Sequence, residues 1–433
     1  MHRRRRGEAR LSISARLKNS PPVTAPSFFS RAIKSPRAQT WAAVGVALLV
    51  LGARKPWALL TPQLWAEDGT IHLNDYEQSG ARAFFIPYRG YLHLLPRLIA
   101  WLAGQLTDVV NWPAFYNGGA LLTTALLLVR MTSRRLDLPG KPWLVLAFVL
   151  VAHSGEVFLN ITNLHWLTGF FLVQQALIAR PVTAGQRVGD WALLVLAGLS
   201  DPSAIIFFPL FLWRWWRERH ADNLAVLLVV SACAAGQAYF LATATKHFGA
   251  QVQSLNLAAL LEISGSRLVI WPFFGARMVT LVPPLGQAAL AWGLILALAA
   301  WVLRNDPRRP LRLQVLAAWT LITFACVYRI RPDVWPVGID NLSYAEPYFY
   351  MSRLLLFWLV IWEFEARPAA VAWLARTSCV AGVALALPRA REAAPPDYKW
   401  AEHCEPIRRG VPANIPTLPE GWTLEYRGRP KSR

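Results

Sequence analysis

Apolar runs separated by short polar stretches recur along the whole chain. Among them are WAAVGVALLVLGA (41–53), GGALLTTALLLV (118–129), NLAVLLVVSACAAGQAYFLA (223–242), AALAWGLILALAAWVL (288–303) and LLLFWLVIW (354–362), each bounded by charge, Pro or Gly. A bilayer core of about 30 Å needs roughly 20 apolar residues per helix, so the pattern predicts an all-α polytopic membrane protein. Only 16% of residues are charged, against about a quarter in soluble domains. The Trp residues cluster near segment ends, as an interfacial belt does.

Charge then orients the segments. A net charge of +20 invites a nucleic-acid reading, but the Lys and Arg residues lie in short clusters between apolar runs and form no single basic face. No nucleic-acid partner is expected. Residues 1–40 hold ten Lys/Arg against one acid, Glu8, and are rich in Ser and Pro, which fits a disordered cytoplasmic arm touching anionic lipid. No A-x-A-like site closes the first apolar run, so a cleaved signal peptide is not expected. Cys233, Cys326 and Cys379 fall in apolar runs and Cys404 in a polar tail, which suggests neither a disulfide nor a metal framework.

The positive-inside rule puts RMTSRR (130–135), RPVTAGQR (180–187), WRWWRERH (213–220), RNDPRRPLR (304–312) and EFEARP (363–368) on the cytoplasmic side. The first loop (56–111), the segment near 154–163, the SDPS turn (200–203), a second large loop (244–284), residues 329–349 and the tail from 388 then face outward. Parity forbids GYLHLLPRLIAWLAGQL (90–106) from crossing, since every later loop would invert. It is expected as an amphipathic helix on the outer face. Residues 267–284, broken by Pro272, Gly275 and Pro283–Pro284, stay outside by the same argument. Eleven crossings remain, with the N-terminus inside and the C-terminus outside. WALLVLAGLS and AIIFFPLFLW are short for spans, and so is the first apolar run, Trp41 to Ala53, at whose end Arg54 and Lys55 are expected to snorkel. No inverted repeat of the transporter kind is evident.

Unusual polar groups collect on the outer side. The first loop carries Glu67, Asp68, His72, Asp75, Arg89, Tyr91, His93 and Arg97; the second carries Asn160, Asn163, His165 and Trp166; the turn carries Asp201. Later loops add Arg267, Arg277, Arg329, Arg331, Asp333, Asp340 and Glu346, and Arg353 enters an apolar segment, where charge is costly and normally paired. In WAEDG, Trp65 anchors the acids at the interface and Gly69 is expected to supply a tight turn. A carboxylate at that depth can take a proton from an acceptor hydroxyl while arginines neutralise a phosphate leaving group. His72 and His165 are the side chains that would join Glu67 or Asp68 around a divalent cation, although their spacing is no ligand signature and the cofactor stays open. No Walker loop, dinucleotide fingerprint, zincin motif or nucleophile elbow occurs.

WAEDG, PYRGYLHLLPRLIAWLAG, NITNLHWLTG and YFYMSR, set in this topology over residues 41–387, resemble the GT-C glycosyltransferases. That class includes the protein O-mannosyltransferases and the aminoarabinose transferase of lipid A, and the likeness is strongest to bacterial GT-C-like proteins of unassigned substrate. The resemblance implies a sugar donor carried on polyprenyl phosphate and an envelope glycan, glycolipid or protein as acceptor, at the outer face of a bacterial inner membrane. It also implies Asp68 as base with Glu67 second, Arg97, Arg353 and Arg89 on the donor phosphate, and Tyr91, His93, Asn163, His165 and Trp166 around the substrate. The short second outer loop and the lack of a large soluble C-terminal domain depart from some members. A transporter or lipid flippase, or a non-catalytic scaffold on the same fold, are the competing readings.

The Pro-rich tail, 388–433, is either a loose terminus or an extended segment packed over the outer loops, with Trp400 and Trp422 as anchors and a partial lid on the site.

Overall fold

The computed structural model describes residues 35–244, 257–304, 308–329, 346–389 and 391–430. Most of the basic arm, the middle of the second large loop, the side chain of Arg329, and Arg331, Asp333 and Asp340 lie outside the described residues. The helices that build the body are α1 (Pro36–Arg54), α2 (Leu94–Leu106), α3 (Trp112–Arg130), α4 (Lys141–Leu150), α5 (Leu164–Leu177), α6 (Ala184–Gly198), α7 (Ser203–Arg217), α8 (Ala221–Ala244), α9 (Pro284–Val302), α10 (Arg309–Arg329), α11 (Pro347–Ile361) and α12 (Ala369–Ala386). Several open on proline in the first turn, as at Pro36, Pro113, Pro142, Pro284 and Pro347. There the missing N–H would have no intrahelical partner in any case.

Among the described residues five helices, α3, α8, α9, α10 and α12, are long and apolar enough to cross a membrane. Their outward faces carry Leu122, Leu228, Leu296 and Val380 in the open, a surface suited to lipid. Helix α11 differs: it is apolar on every side and nearly every residue in it is buried, so it forms the centre of the bundle. It packs on α4, α5, α10 and α12. The molecule is therefore mostly helical and membrane-like, with one exception that the sequence pattern did not predict. Strands β1 (Ala413–Thr417) and β2 (Trp422–Tyr426) pair antiparallel in the tail, with Ala413 opposite Tyr426.

Helix α2 has 13 residues, about 20 Å of rise, too short for a core of about 30 Å. Ile99, Ala100 and Ala103 are buried while Leu106 is exposed, so one face packs inward. Its N-terminus is tied to the α6–α7 turn: the Leu94 N–H donates to Leu199 C=O at 3.0 Å and the Leu95 N–H to Ser200 Oγ at 2.9 Å. Connections on the opposite end form a separate set, in which Arg135 binds Asp190 at 2.5 Å and Arg187 binds Asp222 at 2.8 Å.

Candidate functional site

The site begins with a non-helical segment, residues 151–163, that runs largely buried between α4 and α5. Carbonyl groups in such a segment have no ladder or helix to satisfy them, and burial without partners costs several kcal/mol each in an apolar surround, on the order of 2–7. Long basic side chains supply the donors. Arg54 donates to Val149 and His153 carbonyls at 3.1 and 3.4 Å, and Lys55 to Gly155 and Phe158 carbonyls at 3.4 and 3.1 Å. Arg353 donates to Ala152 C=O at 2.6 Å, and Asn160 and Asn163 both donate to Glu156 C=O, at 2.7 and 3.0 Å. Arg54 and Lys55, expected to snorkel, are instead buried inside the protein because these carbonyls need them.

The buried segment presents Thr162 to the acid pair. Asp68 Oδ1 accepts from the Thr162 N–H at 2.8 Å and hydroxyl at 2.6 Å, and Oδ2 accepts from the Trp65 N–H at 3.3 Å. Asp68 has no exposed surface. Burial pushes its carboxyl up to about 7, opposed by the Thr162 bonds. Glu67, one residue earlier, is half-buried and takes a different course. It accepts from the Tyr88 hydroxyl at 3.1 Å, and that hydroxyl accepts from Arg89 Nε at 3.2 Å. The Arg89 guanidinium is exposed and lies 5.4 Å from the centre of the Tyr88 ring. The accessible acid is therefore Glu67, and Asp68, expected as the base, is held as an internal brace.

Gly69 does not make the turn expected of it. It lies within a π-helical turn, Asp68–Leu73, and the positive φ of 27° falls on Ala66. What Gly69 permits is close approach: a Cβ there would stand 3.3 Å from Leu424 of β2. The tail is thereby joined to the acids. The Ala66 N–H donates to Leu418 C=O, and the Leu418 N–H donates to Leu64 C=O at 2.9 Å. Further along, Asn74 donates to Glu425 C=O at 2.8 Å, and Gln63 donates to Pro396 C=O at 3.0 Å. Trp400 is buried, its Nε1 donating to Val109 C=O at 2.9 Å. Trp422, expected as a second anchor, is 43% exposed; Leu424 and Tyr426 fill the inner face of β2 in its place.

Behind the acids, His93 is the hub of an aromatic and imidazole cluster. Its ring stacks on Tyr91 at 4.5 Å and stands 5.9 Å from both His72 and His165, and His165 touches Trp166 at 4.5 Å. Burial, reinforced by Arg97 and neighbouring imidazoles, holds His72 and His93 well below the ordinary imidazole range, so both are neutral. Among the described residues no group of His, Cys, Asp and Glu is arranged to hold a metal ion.

Sequence reasoning named side chains that the fold brings to one neighbourhood: Glu67, Asp68, Arg89, Tyr91, His93, Arg97, His165 and Trp166. Their accessibility differs. Arg97 is 1% exposed and pairs with Asp75 at 2.7 Å. Asn163 is buried and spends its amide on the 151–163 segment. Arg353 is fully buried, pairs with Glu346, donates to Arg267 C=O at 2.8 Å and lies 4.3 Å from the centre of the Trp271 ring. Arg97 and Arg353, expected on a donor phosphate, are thus internal ion-pair members, and Arg89 is the exposed cation of the three. Thr162, Tyr88 and Leu418 were not singled out from sequence; an ordinary Thr or Tyr in a loop carries no mark of a partner some tens of residues away.

No known family's sequence profile matches the chain, and no curated protein and no solved structure matches it significantly.

Proposed function

We propose that the chain is a GT-C-type glycosyltransferase that takes a sugar from a polyprenyl-phosphate donor at the outer face of a bacterial inner membrane and passes it to an envelope glycan, glycolipid or protein. In this reading α1 and α3–α12 make the eleven crossings, α2 lies on the outer surface, the N-terminus is cytoplasmic and the C-terminus is outside. The short helices α4–α7 and α11 are tolerated because protein, and not lipid, covers their ends.

The observation that carries the proposal is the Arg89–Tyr88–Glu67 chain. An accessible carboxylate stands beside an exposed guanidinium on a surface held at the interface by α2. In the reaction, an acceptor hydroxyl oxygen bonds to the anomeric carbon as the bond from that carbon to the donor phosphate breaks. The hydroxyl proton passes to Glu67, and Arg89 binds the departing lipid phosphate. Asp68 positions the loop from within through Thr162 and Trp65. A divalent cation is not required by this scheme.

Transfer of labelled sugar from a panel of polyprenyl-phosphate donors tests it. Glu67→Gln is expected to abolish transfer in a protein that still folds and inserts, and unchanged transfer refutes the reading. A non-catalytic scaffold is the second reading, favoured by the closed ion pairs of Arg97 and Arg353 and the capped carboxylate of Asp68.

A further inference from the structure

A large cavity lies among the described residues, opening at the end of α1 away from the acid pair. It encloses about 1240 Å³ between α1, α4, α11 and α12 and meets the site described above only at Val151. Its lining changes along its length. One end is rimmed by Arg37, Arg134, Lys141, Arg308 and Arg376, with Asp137 and Glu365 as the acids present. All of these except Lys141 are exposed. From there the walls become apolar, through Leu146, Leu150, Phe357 and Val383 to Leu387.

The dimensions follow from the helix. Arg376 and Leu387 are eleven residues apart, roughly 16 Å of rise, and Leu387 lies just past the far end of α12, so the apolar wall is long enough for an acyl chain to lie along it. The groove is therefore cationic at one end and apolar along the rest of its length. Trp143 stands exposed at the cationic end, a position that tryptophan favours at the membrane interface. Five cations against two carboxylates set the sign of the headgroup. The preceding arm does not suit this rim: residues 1–34 carry nine Lys/Arg and one acid, so it repels the same charges.

We propose that this groove is a binding site for one anionic phospholipid of the leaflet at the basic end, with its phosphate on the Arg134–Arg376 rim and its acyl chains along α4 and α12. Phosphate oxygens satisfy guanidinium donors in paired geometry, and the chains fill a volume that water would occupy at a cost against these walls. The lipid closes a gap between α4 and α12 that side chains leave open, so it acts as a structural part of the bundle.

The full chain, purified in mild detergent and then placed in nanodiscs of mixed phosphatidylglycerol and phosphatidylethanolamine, tests the proposal by native mass spectrometry and lipid phosphorus. The wild type is expected to retain about one phosphatidylglycerol per chain. Arg134→Glu with Arg376→Glu is expected to lower that retention about tenfold or more, with phosphatidylethanolamine unchanged. Val383→Trp keeps every rim charge and fills the apolar part of the groove, and it is expected to expel the same lipid. Two results overturn the proposal: a wild-type chain that holds no phospholipid above the detergent background, and phosphatidylglycerol retention that neither variant changes.

Discussion

The Asp68 carboxylate accepts both the N–H and the hydroxyl of Thr162, at 2.8 and 2.6 Å, across the gap between the first loop and the buried 151–163 segment. This contact has a pH signature. Burial raises the Asp68 carboxyl from an ordinary 3.8 to about 7, so between those values the folded chain keeps a proton that the unfolded chain has lost. Stability from this group is fully present below the ordinary value and falls as pH rises toward 7. Asp68→Asn cannot titrate. Relative to wild type it gains on the order of 3 kcal/mol between pH 5 and pH 8. Thermal unfolding in detergent at the two pH values measures the difference, and parallel curves would show that Asp68 does not titrate in that window.

The tail is fastened to the same end by charge. Glu392 places a carboxylate 3.6 Å from the buried Lys55 ammonium, and its N–H donates to Arg54 C=O at 2.9 Å. Removing one member of such a pair leaves the other ion without compensation. Glu392 retains some solvent exposure, which screens the pair, so Glu392→Ala is expected to cost about 2–3 kcal/mol, the low end for a buried pair. Replacing both, as Lys55→Met with Glu392→Ala, leaves no orphan charge, although the Gly155 and Phe158 carbonyls lose their Lys55 donor, so the double loss is expected to be smaller than the sum of the two single losses. A double-mutant cycle of unfolding free energies checks this, and simple additivity of the two single losses contradicts it.

Gly155 is the seat of that carboxylate. It has a φ of 85°, and a Cβ built there would fall 1.4 Å from Glu392 Oε1. Gly155→Ala therefore has two effects: about 1–2 kcal/mol of backbone strain from the left-handed conformation, and eviction of Glu392 from its place beside Lys55. The expected readout is local. Trypsin should cut at Arg391 far faster in the variant than in wild type, while the helices stay protected; equal cutting rates would mean that the tail holds on without Glu392.

Much of this architecture was legible from the sequence because it depends on local pattern. The period and length of apolar runs mark the helices, and α2, expected not to cross because of charge parity, has 13 residues, fewer than a span needs. The acids of WAEDG lie beside that helix because they are close in the chain. What was not legible depends on distant partners. Arg54, Lys55 and Arg353 look like snorkelling or ligand-binding cations until the 151–163 segment is seen to lack donors for its own carbonyls. Gly69 looks like a turn glycine until Leu424, from the far end of the chain, packs against it. The hairpin was missed because Pro416 and Pro419 suggest an extended coil, whereas β1 pairs with β2 from Ala413–Tyr426 to Thr417–Trp422 and Leu418, just beyond, bridges to Trp65.

Arg353 gives the sharpest contrast between a ligand-binding cation and a structural one. Its Nη1 meets Glu346 and the Ala152 carbonyl, its Nε meets the Arg267 carbonyl, and its guanidinium plane lies against Trp271. Glu346 in turn accepts from the Ser154 N–H and hydroxyl, both at 3.0 Å. One side chain thus ties α11, the buried 151–163 segment and the π-helical segment Ser266–Phe274 together. A lysine keeps the charge but loses the fork that reaches two carbonyls and a carboxylate at once. Arg353→Lys is therefore expected to lose about 3 kcal/mol or more of stability, with the substrate KM of any folded fraction unchanged. Arg89→Lys is expected to do the opposite: stability within about 0.5 kcal/mol of wild type, as for an exposed position, and a raised KM for the donor. Paired measurements of unfolding and of donor dependence separate the two, and a KM effect at Arg353 without loss of stability would return that residue to the phosphate site.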